Sequence, residues 1–153
     1  MRMIMLIAAA GLLLNGCQQQ AAGNPADAEL QAAVLLIEQN LLDWARQNGG
    51  LYPEMLGPEL LKDAQNKALL NPYDGTEMHP VAFTAGELAA GNICYIAVHE
   101  GAEVQEYVLL GFGEDMAGGQ DVDGDGKGDG VIELKRSSGV SEERMRELIA
   151  EMK

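Results

Sequence analysis

The segment from Asp121 to Asp129 has carboxylates at alternate positions with glycines between them. Ca²⁺ is a hard cation that takes six to eight oxygen ligands at about 2.3–2.6 Å, from a loop that can wrap around it. Side-chain oxygens at the first, third, fifth and ninth loop positions would come from Asp121, Asp123, Asp125 and Asp129. The backbone carbonyl of Lys127 would provide the seventh. This spacing predicts a structural calcium site.

The loop matches an EF-hand calcium loop only in part. Gly126 stands at the sixth position, where that loop needs a sharp turn. The twelfth position is Ile132, and Glu133 comes one residue late. Because no flanking helix is predicted, the segment is more similar to the Asp-x-Asp-x-Asp-Gly calcium loops of varied extracellular proteins. Glu133 could complete the calcium shell or be merely solvated.

The alternative is a flexible acidic loop that binds nothing. Carboxylates about 4 Å apart repel each other by about 1 kcal/mol even in water, so ordering such a loop without a cation is unfavourable. A bound Ca²⁺ would reverse the sign of that interaction. Extracellular sites of this kind bind at about 10⁻⁴–10⁻³ M, which favours a structural role over a sensing one.

The N-terminus has the layout of a secretory signal. Arg2 gives a basic start, residues 3–14 are apolar without a charge, and Gly16 stands directly before Cys17. The run is too short to span a bilayer stably. Leu14-Asn15-Gly16-Cys17 resembles the lipobox of bacterial lipoproteins. That resemblance implies cleavage of residues 1–16, acylation of Cys17, and a tether over residues 17–23. An ordinary cleaved signal with an incidental cysteine is the alternative.

Composition limits the classes of partner. Removing residues 1–16 from the 153-residue chain leaves 137 residues, enough for one domain with a core. The chain has 10 basic and 24 acidic residues, and losing Arg2 takes its net charge from −14 to −15. Such acidity disfavours nucleic acid and anionic headgroups as partners. We therefore expect membrane attachment through acyl chains alone, which are firm anchors when two or three are present.

The chain lacks the usual catalytic signatures. Cys94 lies in an apolar, β-favouring run without a local basic group, which indicates a buried hydrophobe, not a nucleophile or zinc ligand. His79 and His99 are far apart in sequence and accompany no nucleophile. Phosphate-loop, dinucleotide and Gly-x-Ser-x-Gly motifs are absent. We expect the protein not to be an enzyme.

The pattern predicts two main helices. Asn24 caps the first, Pro25 fits its first turn, and Gly49 or Gly50 ends it. Its apolar stripe comprises Leu30, Val34, Ile37, Leu41 and Trp44. Ser141 caps an amphipathic C-terminal helix, for which docking on the body is the default. A short helix is also predicted over 58–64, and a turn over 71–75.

Three strands are predicted over residues 93–99, 104–112 and 131–134. Residues 100–103 connect the first two as a hairpin, and the acidic loop connects the second to the third. The continuous hydrophobicity of the first two indicates that a helix covers at least one face. The predicted fold is therefore α+β, with a long N-terminal helix on a small antiparallel sheet of about three strands.

The order of several short motifs resembles the globular part of type IV pilin-like proteins, especially the major pseudopilins of type II secretion. The motifs are Gly50-Leu51-Tyr52-Pro53 after the helix, Asn71-Pro72-Tyr73-Asp74-Gly75, and the strands from Asn92-Ile93-Cys94-Tyr95 and Tyr107-Val108-Leu109-Leu110. The resemblance covers roughly residues 28–136. It implies a helix, antiparallel strands and a calcium loop.

The N-terminus departs from that family. Pilin-like proteins begin with a prepilin-peptidase site and a very hydrophobic helix, whereas this chain has a lipobox and no such helix before Asn24. The resemblance therefore extends to the fold and the metal loop, and not to packing in a filament.

Together these patterns predict a membrane-anchored lipoprotein with one domain over 24–153, facing the periplasm or the cell exterior. Gln18 after Cys17 would permit export to an outer membrane. We expect a non-catalytic structural or interaction module with an unidentified protein partner. The resemblance to pseudopilins implies an association with a type II secretion or type IV pilus-like system. A calcium-stabilised extracellular ligand-binding module is the second hypothesis. A hydrolase whose site is assembled from separated loops is the third.

Overall fold

The computed structural model of the protein describes residues 24–83 and 88–152. The predicted signal peptide (1–16), Cys17 and the tether (17–23) lie outside the described residues. In the described part, two helices and a four-stranded sheet form a mixed α and β fold.

The long N-terminal helix, α1 (Pro25–Gln47), begins and ends where its sequence predicts. The side chain of Asn24 accepts a hydrogen bond from the backbone N–H of Ala26 at 3.0 Å, which satisfies one free donor of the first turn. After the helix, both Gly49 (φ 70°) and Gly50 (φ 92°) adopt left-handed conformations. The chain can therefore reverse sharply towards the sheet.

The short helix predicted over 58–64 is wrong, because the structure has turns there. The carboxylate of Asp63 accepts backbone N–H bonds from Gln65 at 2.8 Å and Lys67 at 2.9 Å. Asn66 adopts a left-handed φ of 63°. These side-chain hydrogen bonds replace the backbone hydrogen bonds that a helix would form.

The predicted turn over 71–75 is confirmed. The Oδ1 of Asn71 accepts a hydrogen bond from the backbone N–H of Tyr73 at 2.9 Å, and Gly75 takes a φ of 74°. The Nδ2 of Asn71 donates to the carbonyl of Ala90 at 3.2 Å, so the turn is fixed to the start of the sheet.

The sheet has the order β1-β2-β3-β4. Its strands are β1 (Pro80–Val81), β2 (Ile93–Glu100), β3 (Glu103–Phe112) and β4 (Val131–Arg136). The β2–β3 and β3–β4 pairs are antiparallel, as expected, whereas β1 pairs parallel to β2. The prediction of about three strands was therefore one short. A two-residue strand gives no alternation signal, and a proline at its start is tolerated only because it lies at the sheet edge.

Helices cover both faces of the sheet. Buried side chains of α1 share one core with alternate residues of β2 and β3: Leu30, Val34, Ile37, Leu41, Ile93, Tyr107 and Leu109. The intervening strand residues share a second core with the C-terminal helix, α2 (Glu142–Glu151): Cys94, Ile96, Val108, Leu110, Met145 and Ile149. Because successive strand residues point to opposite faces, α1 and α2 lie on opposite sides. Coverage of both faces explains the continuous hydrophobicity of β2 and β3.

A glycine in β3 allows α1 to pack closely on its face of the sheet. A Cβ atom added to Gly111 would lie 2.7 Å from Cγ2 of Val34. A larger residue at this position would force the Val34 side chain to shift.

Three tyrosines cluster beneath α1. The rings of Tyr52 and Tyr107 pack edge to face with centroids 4.8 Å apart, and Tyr95 stacks on Tyr107 at 6.5 Å. The hydroxyl of Tyr107 donates to Oε1 of Glu38 at 3.2 Å, and that of Tyr95 donates to the carbonyl of Pro53 at 2.7 Å. Burial, and then the negative charge of Glu38, raises the pKa of Tyr107 above its ordinary value.

This cluster predicts alkaline destabilisation. A phenol whose pKa is higher in the folded state contributes stability that is complete below the unfolded pKa of about 10. That contribution is lost as the pH rises above 10, at about 1.4 kcal/mol per pH unit for one buried group such as Tyr107. Urea unfolding between pH 8 and 11.5 measures the slope. Tyr107→Phe should reduce the slope of the unfolding free energy against pH. An equal slope in both proteins would contradict Tyr107 as its source.

Candidate metal centre

The acidic loop connects β3 to β4 and is closed at its base by backbone hydrogen bonds. The N–H of Gly113 donates to the carbonyl of Gly130 at 2.9 Å, and that of Gln120 donates to Val131 at 2.8 Å. Further in, the N–H of Asp129 donates to the carbonyl of Gln120 at 3.1 Å. The sheet therefore fixes both ends of the segment that carries the carboxylates.

Three carboxylates converge in this loop. Asp121, Asp123 and Asp129 each present one carboxylate oxygen, and the three oxygens lie within 4.8 Å of one another. Two oxygens bound to the same Ca²⁺ can lie at most about 5.2 Å apart, since each is about 2.3–2.6 Å from the ion. The three aspartates could therefore hold a metal ion between them. Asp121 is exposed, and the other two are half-buried.

Backbone N–H groups fix the orientation of the Asp121 carboxylate. Its Oδ1 accepts from Gly124 at 2.7 Å, and its Oδ2 accepts from Gly126 at 3.0 Å. Both glycines have left-handed φ angles, 82° and 86°. The predicted sharp turn at Gly126 is thus present, and the chain curls around the first aspartate of the loop.

The other two carboxylates of the triad also accept backbone hydrogen bonds, Asp129 from across the loop and Asp123 locally. The Oδ2 of Asp129 accepts from the N–H of Val122 at 2.9 Å and from that of Asp123 at 3.3 Å. The Oδ1 of Asp123 accepts from the N–H of Asp125 at 3.0 Å. The two bonds to Asp129 therefore join the start of the loop to its end.

The remaining predicted ligands make other contacts. Asp125 is not one of the three converging aspartates, and its Oδ1 accepts from the backbone N–H of Lys127 at 2.9 Å. In β4, Oε1 of Glu133 forms an ion pair with Nζ of Lys135 at 2.9 Å, and this bond raises the pKa of Lys135. Roles for Asp125, Lys127 and Glu133 as ligands stay predictions.

The sequence analysis did not predict a role for Val122, which lies between Asp121 and Asp123. Its side chain is only 1% exposed and belongs to the second core, together with Met145 and Ile149 of α2. The signal in the sequence was a β-branched apolar residue between two aspartates, where a solvated loop would carry polar groups. The loop therefore contributes to the hydrophobic core as well as to the carboxylate cluster.

The start of the loop is attached to the first turn of α1. Nδ2 of Asn24, the cap of α1, donates to Oε2 of Glu114 at 2.7 Å. The same turn of α1 also holds the 71–75 turn, because Oδ1 of Asp27 accepts a hydrogen bond from the hydroxyl of Tyr73. Asp115, another acidic residue near the loop, accepts from the N–H of Ala117 at 3.2 Å. Glu114 thus binds the cap of α1.

Other chemically interesting groups lie away from this loop. Cys94 is buried, as predicted, and burial raises the pKa of its thiol to about 12, which disfavours the reactive thiolate. Nε2 of His99 lies 3.1 Å from Oε2 of Glu54 on the surface. His79 lines a groove of about 320 Å³ whose walls include Leu56, Met78 and Pro80.

Comparison with known proteins assigns no family. No protein-family model, curated protein or solved structure matches the chain. The resemblance to pseudopilins therefore stays a prediction from the sequence motifs. Within residues 24–83 and 88–152, no helix has both the length and the apolar character needed to cross a membrane.

Proposed function

We propose that the protein is a lipoprotein anchored by Cys17, whose domain is a non-catalytic structural or interaction module with a bound structural Ca²⁺. The observation that carries the proposal is the convergence of Asp121, Asp123 and Asp129 within 4.8 Å. The domain would face the periplasm or the cell exterior, where millimolar calcium is compatible with the weak affinities of extracellular sites.

The chemistry of the donor set supports calcium over other metals. All three converging donors are carboxylate oxygens, which suit hard cations, and the set contains no imidazole or thiolate for zinc or copper. Ca²⁺ also tolerates irregular geometry and adds waters or carbonyls, whereas Mg²⁺ demands a near-ideal octahedron. A loop that turns at two left-handed glycines gives an irregular arrangement of oxygens, which suits the less demanding ion.

Electrostatics supports a stabilising role for the ion. Three carboxylates held within 4.8 Å of one another repel, and the loop that holds them belongs to an acidic chain of net charge −14. A divalent cation converts that repulsion into attraction. Binding to the folded state alone then raises the free energy of unfolding through mass action.

The interaction role rests on the sequence motifs and on the expected anchor. The proposed partner is a protein of a type II secretion or type IV pilus-like system, in keeping with the pseudopilin resemblance over residues 28–136. A calcium-stabilised ligand-binding module is the second candidate, favoured by the groove of about 320 Å³ beside Met78 and His79.

Purification from membranes tests the partner class. The full chain would be extracted in a mild detergent with millimolar calcium, and its co-purifying proteins identified by mass spectrometry. We expect secretion or pilus components with the wild-type protein, and fewer with an Asp121→Asn, Asp123→Asn double variant. Their absence from both would favour the ligand-binding alternative.

A further inference from the structure

The sheet has a free outer edge along most of β4. This strand is the last in the sheet order, and Gln120 pairs with its outer side at Val131. In the described part of the chain, no strand lies along that side from Glu133 to Arg136. A free strand edge presents backbone groups with which a further strand can pair.

The backbone groups of Leu134 point to this free edge. The N–H of Ser137 donates to the carbonyl of Tyr107 at 3.1 Å, on the side of β4 that faces β3. Backbone groups of an antiparallel strand alternate between its two sides. Those of Lys135 therefore point to β3, and those of Leu134 point outward.

Two opposite charges flank Leu134 on the face of the sheet that α1 covers. Glu133 pairs with Gly111 and Lys135 pairs with Leu109, and both β3 residues lie beneath α1. Nζ of Lys135 lies 2.9 Å from Oε1 of Glu133, and the side chains are only 25% and 20% exposed. Both charges therefore lie at the sheet edge, where they would face a strand placed against it.

The charge pattern of β4 is complementary to itself. When two antiparallel copies of the strand are related by a two-fold axis at Leu134, Glu133 of each copy lies directly opposite Lys135 of the other. A two-fold axis at Glu133 or at Lys135 would place like charges opposite each other instead. The axis at Leu134 also lets its outward backbone groups bond across the interface, so one register satisfies both requirements.

The neighbouring side of α1 adds exposed apolar surface. Nε2 of Gln31 donates to the carbonyl of Ile132 at 3.3 Å, and Oε1 of Glu38 accepts from the hydroxyl of Tyr107 at 3.2 Å. Leu35 lies between them at helical spacing, on the same side of α1, and is 44% exposed. A large apolar side chain therefore lies beside the free edge, where a second copy would bury it.

We propose that β4 is a homodimerisation edge, at which two copies of the chain pair antiparallel about Leu134 to form one continuous eight-stranded sheet. The two cross-strand pairs of Glu133 with Lys135 fix the register, and Leu35 of each copy lies at the flank of the interface. Charges on an edge strand disfavour pairing with unrelated strands. The residues that admit a second copy therefore also exclude other chains.

Exchange of the charges tests the pairing. Sedimentation of the full chain, in mild detergent with micelles in large excess over protein, should show a monomer–dimer equilibrium. Glu133→Lys and Lys135→Glu each place like charges opposite one another and should weaken dimerisation about tenfold or more. A mixture of the two variants should restore dimers, because each strand then faces the opposite charge. The mixture does not restore the ion pair within each chain, so the rescue is specific to the interface.

Cysteine crosslinking tests the register. Directly opposite residues of antiparallel strands have Cα atoms about 4.5–5.5 Å apart, which is within the range of about 4.4–6.8 Å for a disulfide. Leu134→Cys should therefore form a covalent dimer under mild oxidation, above the level of the wild-type chain. Arg136→Cys is the matched control, because its two copies would lie more than about 13 Å apart along the strands.

The apolar flank has its own pair of variants. Leu35→Gln should weaken dimerisation about threefold or more, because the second copy then buries less apolar surface. Met55 is 72% exposed and lies beside Val81 of β1, at the opposite edge of the sheet. Met55→Gln should therefore leave the dimerisation constant unchanged.

Three results would each overturn the proposal. They are a wild-type chain that stays monomeric at every concentration, a mixture of the charge variants that forms no dimer, and stronger crosslinking in Arg136→Cys than in Leu134→Cys. If a charge variant does not fold, as judged by circular dichroism, the comparison of the two cysteine variants decides the question.

Discussion

The Cys17→Ser variant is expected to move from the membrane fraction to the soluble fraction. Two or three acyl chains hold a protein firmly, because each buried methylene contributes about 0.8 kcal/mol. The acidic chain is repelled by anionic headgroups, so attachment is expected to come from the proposed acyl chains. Removing the proposed lipid of Cys17 is therefore expected to remove the main attraction of the mature domain to the membrane.

Fractionation and intact-mass spectrometry measure this result. The matched control is Cys94→Ala, which removes the other cysteine, a buried residue of the second core, and should leave the protein in membranes. Detection of Cys17 with an unmodified thiol in the wild-type protein would contradict the lipoprotein assignment. So would retention of Cys17→Ser in carbonate-washed membranes.

Removing calcium is expected to lower the melting temperature by about 5–10 °C relative to calcium at one hundred times the dissociation constant. A ligand at that excess adds about 2.7 kcal/mol to the free energy of unfolding when it binds the folded state alone. For a domain of this size, each kcal/mol corresponds to about 2–4 °C. Differential scanning calorimetry with EGTA and with CaCl₂ measures the difference.

Variants of the loop should reproduce the effect of the chelator. Asp123→Ala is expected to melt at the same temperature with and without calcium, because it removes one of the three converging carboxylates. Glu103→Gln, an exposed position in the β2–β3 hairpin, removes the same charge elsewhere and should keep the full calcium response. An undiminished response in Asp123→Ala would contradict the assignment of the loop as the site.

Most helices and strands could be predicted because their signals are local. The stripe from Leu30 to Leu41 has helical spacing, Asn24 and Ser141 are strong caps, and β2 and β3 are long apolar runs. In each case, propensity, capping and burial indicate the same structure. The hairpin at Gly101 likewise required only the chemistry of a two-residue turn.

Elements that depend on distant contacts could not be predicted. β1 is a strand only because Pro80 and Val81 lie beside Ile93 and Cys94 of β2. The sequence around Asp63 fits a helix by composition, but its carboxylate bonds the local backbone instead. The helical spacing of apolar residues in α2 also does not indicate which face of the sheet the helix covers.

The candidate metal site was likewise predictable only where its signals are local. The alternation of aspartate and glycine predicted that carboxylates would converge, and Asp121, Asp123 and Asp129 do. The spacing did not reveal that Asp125 bonds the neighbouring N–H of Lys127 or that Glu133 pairs with Lys135. It also gave no reason to expect Val122 in the core, because burial there depends on α2, which follows the loop in sequence.

Isothermal titration of the protein in detergent with CaCl₂ measures whether the aspartate loop binds calcium. We expect one calcium ion per chain to bind with a dissociation constant of about 10⁻⁴–10⁻³ M, and this binding to be lost in Asp121→Asn. The absence of saturable binding in the wild-type chain, or equal binding in Asp121→Asn, would contradict it.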